Sequence, residues 1–346
     1  MKIGNFNIGK DNKCFIIAEL SANHNGDLDI AIETIRAAKR AGADAIKLQT
    51  YTPDTLTINC DNDYFKIDGG TLWDGKTLYE LYGEAYTPWE WHQQLFDVAH
   101  EEGLICFSSP FDKTAVDFLE KLNVPAYKIA SFEIQDIPLI AYAASKGKPI
   151  IMSTGIAEEQ DISLAIETCI KAGNDEIILL KCTSSYPAPL DLANLNTIPD
   201  LKKRFNVEVG FSDHTYGFLA PVVATTLGAN VIEKHFILNK EIGGPDADFS
   251  LDEQEFSEMV KAVRDTEKLL GKVSYKISEK VKKNRKFARS LFIVENIKKG
   301  DVITINNVRS IRPGYGLHPK YLNDVLGKVV KKDLEKGTPL KREHFA

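Results

Sequence analysis

The sequence lacks the patterns that mark several large classes of protein. Its five cysteines include no C-x-x-C pair, and an odd count does not suit a disulfide framework. No run of about 18 apolar residues is present, which argues against a membrane-spanning helix. Lys and Arg are spread along a chain of net charge −6, so no basic patch predicts binding to nucleic acid. The N-terminal residues show no signal-peptide pattern, and with the cysteine usage this predicts a cytoplasmic protein.

Three common active-site motifs are missing as well. There is no G-x-x-x-x-G-K-[ST] segment, which excludes a P-loop enzyme. There is no G-x-S-x-G segment, the turn that carries the nucleophile of serine hydrolases. No G-x-G-x-x-G follows an apolar run, so binding of a nicotinamide cofactor is unsupported.

The sequence does contain a repeated rhythm of a short apolar run, a polar turn and a helical stretch. Eight such runs lie in residues 1–271, at 15–18, 45–48, 104–107, 126–129, 150–152, 177–180, 207–210 and 230–232. Continuous apolar runs are typical of parallel strands that are buried on both faces. Ala41-Gly42 before the second run is a helix-stop signal. The pattern predicts an α/β protein with a TIM (β/α)8 barrel, and a doubly wound open sheet is the rival.

The character of the chain changes after Gly271. Residues 272–288 are basic and polar and are predicted to form a linker. Residues 289–346 contain a weak internal repeat, in which residues 296–303 are echoed by residues 333–340, each with a Lys-Gly pair. This predicts a small, mostly β, pseudo-symmetric domain that would be marginally stable alone.

Polar and charged residues stand where the predicted strands end. The set comprises Glu19, Lys47, Gln49, Ser108, Ser109, Lys128, Ser131, Glu133, Ser153, Lys181, Ser212, His214, Lys234 and His235. Burying charge without a partner is costly, so packing alone does not explain these residues. The carboxyl ends of the strands carry the active site in TIM-barrel enzymes. The sequence therefore predicts an active site at this end of the barrel.

Four lysines of this set, Lys47, Lys128, Lys181 and Lys234, are predicted to converge on an anionic substrate. Hydroxyl groups and glycine N–H groups nearby would add donors for a phosphate. The alternative is that each lysine forms a buried ion pair with Glu19, Glu133 or Glu233, which would not exclude a role in binding.

Two histidines, His214 and His235, end the seventh and eighth predicted strands. Because these strands are neighbours, the two imidazoles could share one divalent metal ion. An added carboxylate would give a mixed nitrogen and oxygen ligand set that suits Mn²⁺, with Mg²⁺ or Co²⁺ left open. His24 lies between two asparagines and is either a turn former or a ligand contact.

Five ordered motifs resemble the sialic acid synthases. They are the segments at 15–26, 41–50, 126–133, 211–214 and 231–236, and the tail resembles the SAF (antifreeze-like, β-clip) domain of that family, with Arg312 at its centre. The resemblance implies an enzyme that condenses phosphoenolpyruvate with an N-acetylated amino sugar. The segments 19–23, 51–54, 70–74 and 86–91 resemble the pseudaminic acid branch, which uses 2,4-diacetamido-2,4,6-trideoxy-altrose. N-acetylmannosamine, or the sugar of another nonulosonic acid, is the alternative substrate.

The resemblance also implies roles for individual residues. Positions that match those holding phosphoenolpyruvate are Lys47, Ser109, Lys128, Ser131, Tyr186 and Ser212. Gln49, Lys234 and Asp246 are further predicted substrate contacts. Glu19, Glu133, His214 and His235 are the predicted catalytic residues, and the two histidines are the predicted metal ligands.

The family resemblance further implies a domain-swapped homodimer. Arg312 in the tail of one subunit would then contact the sugar in the barrel of its partner. The alternative is that Arg312 is a surface cation in a turn.

Two other functions compete with this interpretation. The barrel could be an aldolase that forms a Schiff base on Lys128 or Lys234. Alternatively, the tail could be a polysaccharide- or ice-binding module that is carried by an inactive barrel.

Overall fold

The computed structural model describes residues 1–9, 11–68, 70 and 73–346. These residues form two compact units, Met1–Gly271 and Lys272–Ala346. Thr71 and Leu72 of the 70–74 motif lie outside the described residues. Within the described part of the chain, no helix combines the length and the apolar character needed to cross a membrane. The cytoplasmic location stays a prediction.

A closed barrel of eight parallel strands dominates the first unit. A short hairpin precedes it, formed by β1 (Lys2–Ile3) and β2 (Phe6–Asn7). The barrel strands are β3 (Phe15–Glu19), β4 (Ala45–Thr50), β5 (Ile105–Pro110), β6 (Tyr127–Ile129), β7 (Ile150–Ser153), β8 (Ile177–Cys182), β9 (Glu208–Asp213) and β10 (Val231–His235). All eight predicted strands are confirmed, and the pairing of β10 with β3 closes the barrel and excludes the doubly wound sheet.

Ten helices accompany the barrel strands within the described residues. They are α1 (Leu28–Arg40), α2 (Pro53–Leu56), α3 (Leu78–Ala85), α4 (Trp89–Glu101), α5 (Lys113–Lys121), α6 (Ile137–Ala144), α7 (Glu159–Lys171), α8 (Thr197–Phe205), α9 (Leu219–Thr226) and α10 (Glu253–Leu270). Short 3₁₀ turns lie at Asp63–Phe65, Ser131–Glu133, Leu190–Leu192 and Lys240–Ile242.

The boundaries of α1 show how the sequence sets these helices. The Asp27 carboxylate accepts hydrogen bonds from the N–H groups of Asp29 and Ile30, which caps the first turn. Beyond the last helical residue, Gly42 has a φ of +91°, a left-handed conformation that favours glycine. The predicted Ala-Gly stop signal is therefore the end of this helix.

Two apolar layers line the two faces of the barrel wall. Phe15, Ile17 and Leu180 belong to the interior layer, which Ile3 and Ile8 join from the N-terminal segment. The alternate residues of the same strands pack against the surrounding helices in a larger layer. Since successive side chains of a strand point to opposite faces, the layer to which an apolar residue belongs fixes the direction of its neighbours.

The second unit is small and built around two paired strands. Its elements are α11 (Glu279–Lys283), β11 (Ser290–Ile293), β12 (Val308–Ile311) and α12 (Leu322–Val325), with 3₁₀ turns at Asn284–Phe287, Pro319–Tyr321 and Arg342–His344. Ile297 and Leu334, equivalent positions of the two repeats, bond to each other through both backbone groups. The internal repeat thus corresponds to a pseudo-symmetric pairing.

Candidate active site

The barrel interior becomes polar toward the carboxyl ends of the strands. The side chains that continue the inward-facing rows are Glu19, Lys47, Gln49, Ser109, Lys128, Ser153, Cys182, Ser212, Glu233 and His235. All of them except Gln49 are buried. These side chains face one another because the strands are short and the barrel is closed. The structure therefore brings most of the predicted strand-end residues into one site.

Two buried lysines share carboxylates at the base of this site. The Lys47 ammonium lies 2.5 Å from Glu19 Oε2 and 3.8 Å from Glu233 Oε1, and it donates a hydrogen bond to Ser109 Oγ at 3.3 Å. Lys128 Nζ lies 3.3 Å from the same Glu233 oxygen. The predicted alternative of buried ion pairs is therefore present. Pairing leaves the ammonium groups inside the cavity, where they also face any bound anion.

Glu233 and Glu19 respond differently to burial. Burial alone would raise the pKa of Glu233, yet the Lys128 and Lys47 ammonium groups outweigh it and hold that pKa below its ordinary value. For Glu19, burial is the larger effect, and it raises the pKa against the attraction of Lys47. Burial also lowers the pKa of Lys128. Glu233 thus already balances part of the charge of Lys47 and Lys128. A substrate anion must compete with Glu233 for these two ammonium groups.

Hydroxyl groups form a second part of the site, above the lysines. Ser212 Oγ donates to Glu233 Oε1 at 3.0 Å. Ser131 Oγ accepts hydrogen bonds from Ser184 Oγ at 2.7 Å and from the Ile156 N–H at 3.2 Å. A backbone turn with glycine is needed here, because a Cβ at Gly155 would lie 2.1 Å from Ser184 Oγ and 2.5 Å from Ser131 Oγ.

This close approach predicts a specific effect of Gly155→Ala. The new methyl group would push apart the Ser131 and Ser184 hydroxyls, so we expect the KM for the anionic substrate to rise by about 10- to 100-fold. The melting temperature should change little, since the displaced groups are polar ends of short side chains. Steady-state kinetics and thermal melts measure both.

Gly83→Ala is the matched control for that variant. A Cβ at Gly83 meets only Pro53 Cγ, at an ordinary 3.9 Å, and the residue lies in α3. We expect this change to leave the KM as it is. An unaltered KM in Gly155→Ala would show that Ser131 and Ser184 do not bind the anion.

The two histidines lie beside the lysine pocket. The ring centroids of His214 and His235 are 5.3 Å apart, and His235 Nδ1 is 3.6 Å from Asp246 Oδ2. Burial lowers the pKa of His214 to about 4 and that of His235 well below its ordinary value, so both rings are neutral. Counting the described residues only, His235 Nδ1 is buried without a hydrogen-bond partner.

Within the described residues, no group of three or more His, Cys, Asp or Glu side chains forms a complete metal site. Two neutral imidazoles and the Asp246 carboxylate nevertheless form a mixed nitrogen and oxygen donor set. Such a set fits an ion that also takes ligands from substrate or water. The bare Nδ1 atom of His235 is the observation that favours this fit.

Burial raises the pKa of Glu133 to about 7, as it does that of Glu19, but among the described residues Glu133 forms no ion pair. Glu133 follows β6 in a 3₁₀ turn, and the Lys128 charge acts on its pKa in the opposite direction to burial. Among the residues with described positions, nothing hydrogen-bonds to its buried Oε2 atom. Glu19, in contrast, is paired with Lys47 and accepts a hydrogen bond from Gln49. Glu133 is therefore the carboxyl group best suited to exchange a proton near neutral pH.

An aromatic wall connects the histidines to the rim of the barrel. The Tyr186 ring lies 4.4 Å from that of His214 and 5.5 Å from that of Phe249, which in turn is 4.9 Å from His235. Trp73, in the loop after β4, lies 5.9 Å from Tyr186 and donates its indole N–H to the Pro245 carbonyl. The long loop after β4 thus reaches the site.

His24 is a structural residue of the first loop. Its Nδ1 atom accepts the Gly26 N–H at 3.0 Å, and its Nε2 atom lies 3.2 Å from Thr87 Oγ1. The ring also packs edge-on against Trp91. Of the two sequence interpretations, the structure supports the turn former.

Two of the predicted lysines do not join the group described above, and the predicted contact of Arg312 with another subunit stays a prediction. Lys234 is fully buried on the helix-facing side of β10, where it pairs with Asp213 at 2.7 Å. Lys181 bonds to Cys182 O and lies on the outward-facing row of β8. Arg312 is an exposed residue of the second unit, directly after β12. The reason for the first two is strand alternation: Glu233 and Cys182 face inward, so their neighbours face outward.

Sequence reasoning predicted no substrate contact for three residues of the site. Glu233 was considered only as a partner for lysines, yet it contacts both lysines and Ser212. Ser153 continues the inward row of β7, and Ser184 bonds to Ser131. Alternation along the strands places Glu233 inside the barrel, as it does Ser153 of the predicted strand-end set, whereas the contact made by Ser184 depends on how its loop folds.

The fold and these side chains define a TIM-barrel enzyme with two lysines and two histidines at the carboxyl ends of its strands. A model of the NeuB family matches residues 34–275, and a model of the SAF domain matches residues 288–346. The chain belongs to the NeuB family, which confirms the resemblance inferred from its motifs.

Similar proteins span the length of the chain. It is 54% identical over 345 residues, covering 100% of both chains, to a protein named pseudaminic acid synthase from Campylobacter jejuni subsp. jejuni serotype O:23/36. It is 50% identical to the pseudaminic acid synthase of Helicobacter pylori, covering 94% of this chain and 96% of that one. Among solved structures, an N-acetylneuraminic acid synthetase from Leptospira borgpetersenii matches with a TM-score of 0.72 at 31% identity, over 82% of this chain and 94% of that one.

Proposed function

We propose that this enzyme condenses phosphoenolpyruvate with 2,4-diacetamido-2,4,6-trideoxy-altrose and water to give pseudaminic acid and phosphate. The observation that carries the proposal is the pair of buried lysines, Lys47 and Lys128, next to His214 and His235 at one end of the barrel. The identity to pseudaminic acid synthases over the whole chain supports the choice of sugar.

The chemistry requires one carbon–carbon bond and one carbon–oxygen cleavage. The C3 atom of phosphoenolpyruvate bonds to the aldehyde carbon of the open-chain sugar, and the aldehyde oxygen takes up a proton. Water adds to C2, the bond between C2 and the phosphate oxygen breaks, and phosphate leaves. The atoms balance as phosphoenolpyruvate, sugar and water giving one nonulosonic acid and one phosphate.

Binding of phosphoenolpyruvate falls to the base of the site. Lys47 and Lys128 neutralise an anion that would otherwise be repelled by a negatively charged chain. Hydroxyl groups contribute directional donors around it, from Ser109, Ser131, Ser153, Tyr186, Ser184 and Ser212. Because these groups are held by the barrel strands and the Gly155 turn before the substrate arrives, little reorganisation accompanies the reaction.

Proton transfer is assigned to Glu133. Its pKa of about 7 lets it hold a proton in one half of the reaction and accept one in the other near neutral pH. Glu19 serves instead to orient Lys47 through their 2.5 Å contact. Asp246 lies next to His235 and closes the sugar side of the site.

We propose that His214 and His235 hold a divalent metal, with Mn²⁺ the preferred ion. When bound, such an ion polarises the sugar aldehyde and lowers the pKa of a water molecule. The histidines are suited to hold it because both are neutral and His235 Nδ1 is bare among the described residues. Asp246 adds a carboxylate at the same place.

The sugar is placed against the aromatic wall of Trp73, Tyr186 and Phe249. In the proposed substrate C6 is a methyl group, and the two acetamido groups add two more methyl groups; apolar rings favour contact with such groups. In N-acetylmannosamine C6 is a hydroxymethyl group, which would gain less from this wall. Gln49, which is only partly buried, can reach the sugar hydroxyls.

Phosphate release from phosphoenolpyruvate tests the reaction class. We expect release only when sugar and Mn²⁺ are both present, and its loss with a chelator. Borohydride trapping with either substrate should leave the protein mass unchanged. A trapped adduct on Lys128, with no sensitivity to chelators, would instead establish the aldolase; Lys234 is not accessible for that chemistry.

We also propose that two copies form a domain-swapped dimer in which Arg312 of one subunit contacts the sugar in the other. The support is the SAF domain match and the small core of this unit. Arg312→Ala should raise the sugar KM by about 10- to 100-fold, the value of a charged hydrogen bond, without changing the melting temperature. Steady-state kinetics with varied sugar measure this, and an unchanged sugar KM would contradict the role of Arg312.

Subunit mixing tests the exchange between copies. With the sugar well below its KM, homodimers of the Arg312→Ala subunit and of the His235→Ala subunit should each keep at most about a tenth of the wild-type activity. Their heterodimer would contain one site with an intact barrel and an intact Arg312, so an equimolar mixture should recover about a quarter of the wild-type activity. No recovery in mixtures shown to contain heterodimer would mean that Arg312 acts within its own subunit.

A further inference from the structure

A buried ion pair lies directly behind the two histidines. Asp213 ends β9 and Lys234 lies in β10, where the two residues are register partners on adjacent strands. Their charged groups are 2.7 Å apart, and both side chains are 0% exposed. Each is the chain neighbour of one histidine, Asp213 of His214 and Lys234 of His235.

The pair also holds the residue that follows His214. Asp213 Oδ1 accepts the N–H of Thr215 at 2.8 Å, and Lys234 Nζ donates to the Thr215 carbonyl oxygen. The backbone on both sides of His214 is therefore tied to β10. The neighbouring strand thus fixes where the chain leaves β9, at the point where His214 turns into the site.

Both charged groups point away from the substrate cavity. Phe211 and Ile232, two residues before Asp213 and Lys234 on their strands, belong to the apolar layer against the helices. Strand alternation places the ion pair in that same layer. A direct role in binding an anion is excluded for Lys234 by this position and by its complete burial.

Stability alone is a weak explanation for such a pair. Removing two charges from water is costly, and well-packed apolar side chains of similar volume are often as stable or more stable. The pair does give something that apolar side chains lack, which is directional contact between two strands and a loop. That contact acts on the backbone next to His214 and His235, whose side chains need a fixed separation.

We propose that Asp213 and Lys234 are positioning residues that set the spacing of His214 and His235, and thereby the affinity for the divalent metal. The inference rests on the metal that is part of the proposed function. Second-layer partners of metal ligands commonly change metal affinity by about 10- to 100-fold when they are replaced. Here the influence acts through the backbone, since the hydrogen bonds of the pair run to the N–H and carbonyl groups of Thr215, the residue after His214.

The test uses an apolar replacement of the whole pair, because a single change would leave one buried charge without its partner and could unfold the protein. In the full-length Asp213→Leu/Lys234→Met variant, calorimetric titration with Mn²⁺ alone should show a Kd raised by about 10- to 100-fold. The melting temperature should not fall, and the Kd for phosphoenolpyruvate without metal should stay within about threefold, because Lys47 and Lys128 are unchanged. The visible spectrum of bound Co²⁺ should also change, which a purely structural role would not cause.

The matched control replaces an ion pair at the opposite end of the barrel. Arg264 and Asp44 are 2.7 Å apart, and Asp44 stands just before β4. The Asp44→Leu/Arg264→Met variant should bind Mn²⁺ as the wild type does. If the wild type binds Mn²⁺ and the folded Asp213→Leu/Lys234→Met variant binds it equally well, the positioning role is overturned while the proposed function stands. Failure of the wild type to bind Mn²⁺ would overturn both.

Discussion

Replacing His235 by alanine is expected to lower kcat by about a thousandfold and to abolish tight binding of Mn²⁺. A catalytic metal supplies several kcal/mol of stabilisation to developing charge, and about 4 kcal/mol corresponds to three orders of magnitude in rate. His235 offers a buried ring nitrogen without a hydrogen-bond partner among the described residues. Its removal therefore takes away the proposed metal ligand and leaves the hydrogen-bond network otherwise intact. Single-turnover kinetics and calorimetric titration with Mn²⁺ measure the two effects.

His92→Gln is the control for losing a buried neutral histidine elsewhere. Burial lowers the pKa of His92 to about 4, as for His214, but its ring bonds to Thr50 Oγ1 on the helix-facing side of β4. We expect this variant to lose stability and to bind Mn²⁺ normally. Mn²⁺ affinity retained in His235→Ala would refute the assignment of the metal site.

Glu133→Gln is expected to lower kcat by about 10²- to 10⁴-fold, the usual contribution of a proton-transfer group. The same change should stabilise the protein at alkaline pH. The pKa of Glu133 is raised from 4.5 to about 7, so the folded state holds the proton more tightly than the unfolded state does. Stability is therefore lost as the pH rises from about 4.5 to 7, because the buried carboxylate becomes charged.

Glutamine stays neutral and avoids that loss. A pKa shift of this size corresponds to a loss of at most about 3 kcal/mol in the stability of the wild type. The loss is complete above pH 7 and absent below pH 4.5. Thermal melts should show a higher melting temperature for Glu133→Gln at pH 8 and an equal one at pH 4.5. Glu84→Gln, on an exposed side chain, should show neither effect. A normal kcat in the Glu133→Gln variant would mean that another group transfers the proton.

Much of the fold followed from the sequence because its signals are local. The apolar runs marked all eight barrel strands, and the Ala-Gly stop marked the end of α1. The apolar runs are shorter than the strands, since β9 continues to Asp213 and β10 to His235 through the polar residues that were predicted at the strand ends. Residues that line a cavity are polar, so the apolar pattern of each strand stops where the site begins.

The site itself was predictable only in part. His214 and His235 come together because their strands are neighbours, which strand order alone implies. Lys234 was assigned to the cavity on its charge, although the alternation of a strand that places Glu233 inside must place Lys234 outside. The contact of Ser184 with Ser131 and the raised pKa of Glu133 depend on packing between loops distant in sequence, which no local pattern encodes.

The central claim is tested most directly by a competition between two sugars. The enzyme would be given phosphoenolpyruvate, Mn²⁺ and equal amounts of N-acetylmannosamine and 2,4-diacetamido-2,4,6-trideoxy-altrose, and the products would be identified by mass spectrometry and NMR. The account predicts pseudaminic acid with one equivalent of phosphate, and almost no N-acetylneuraminic acid. A product formed mainly from N-acetylmannosamine would contradict it and make this chain a sialic acid synthase.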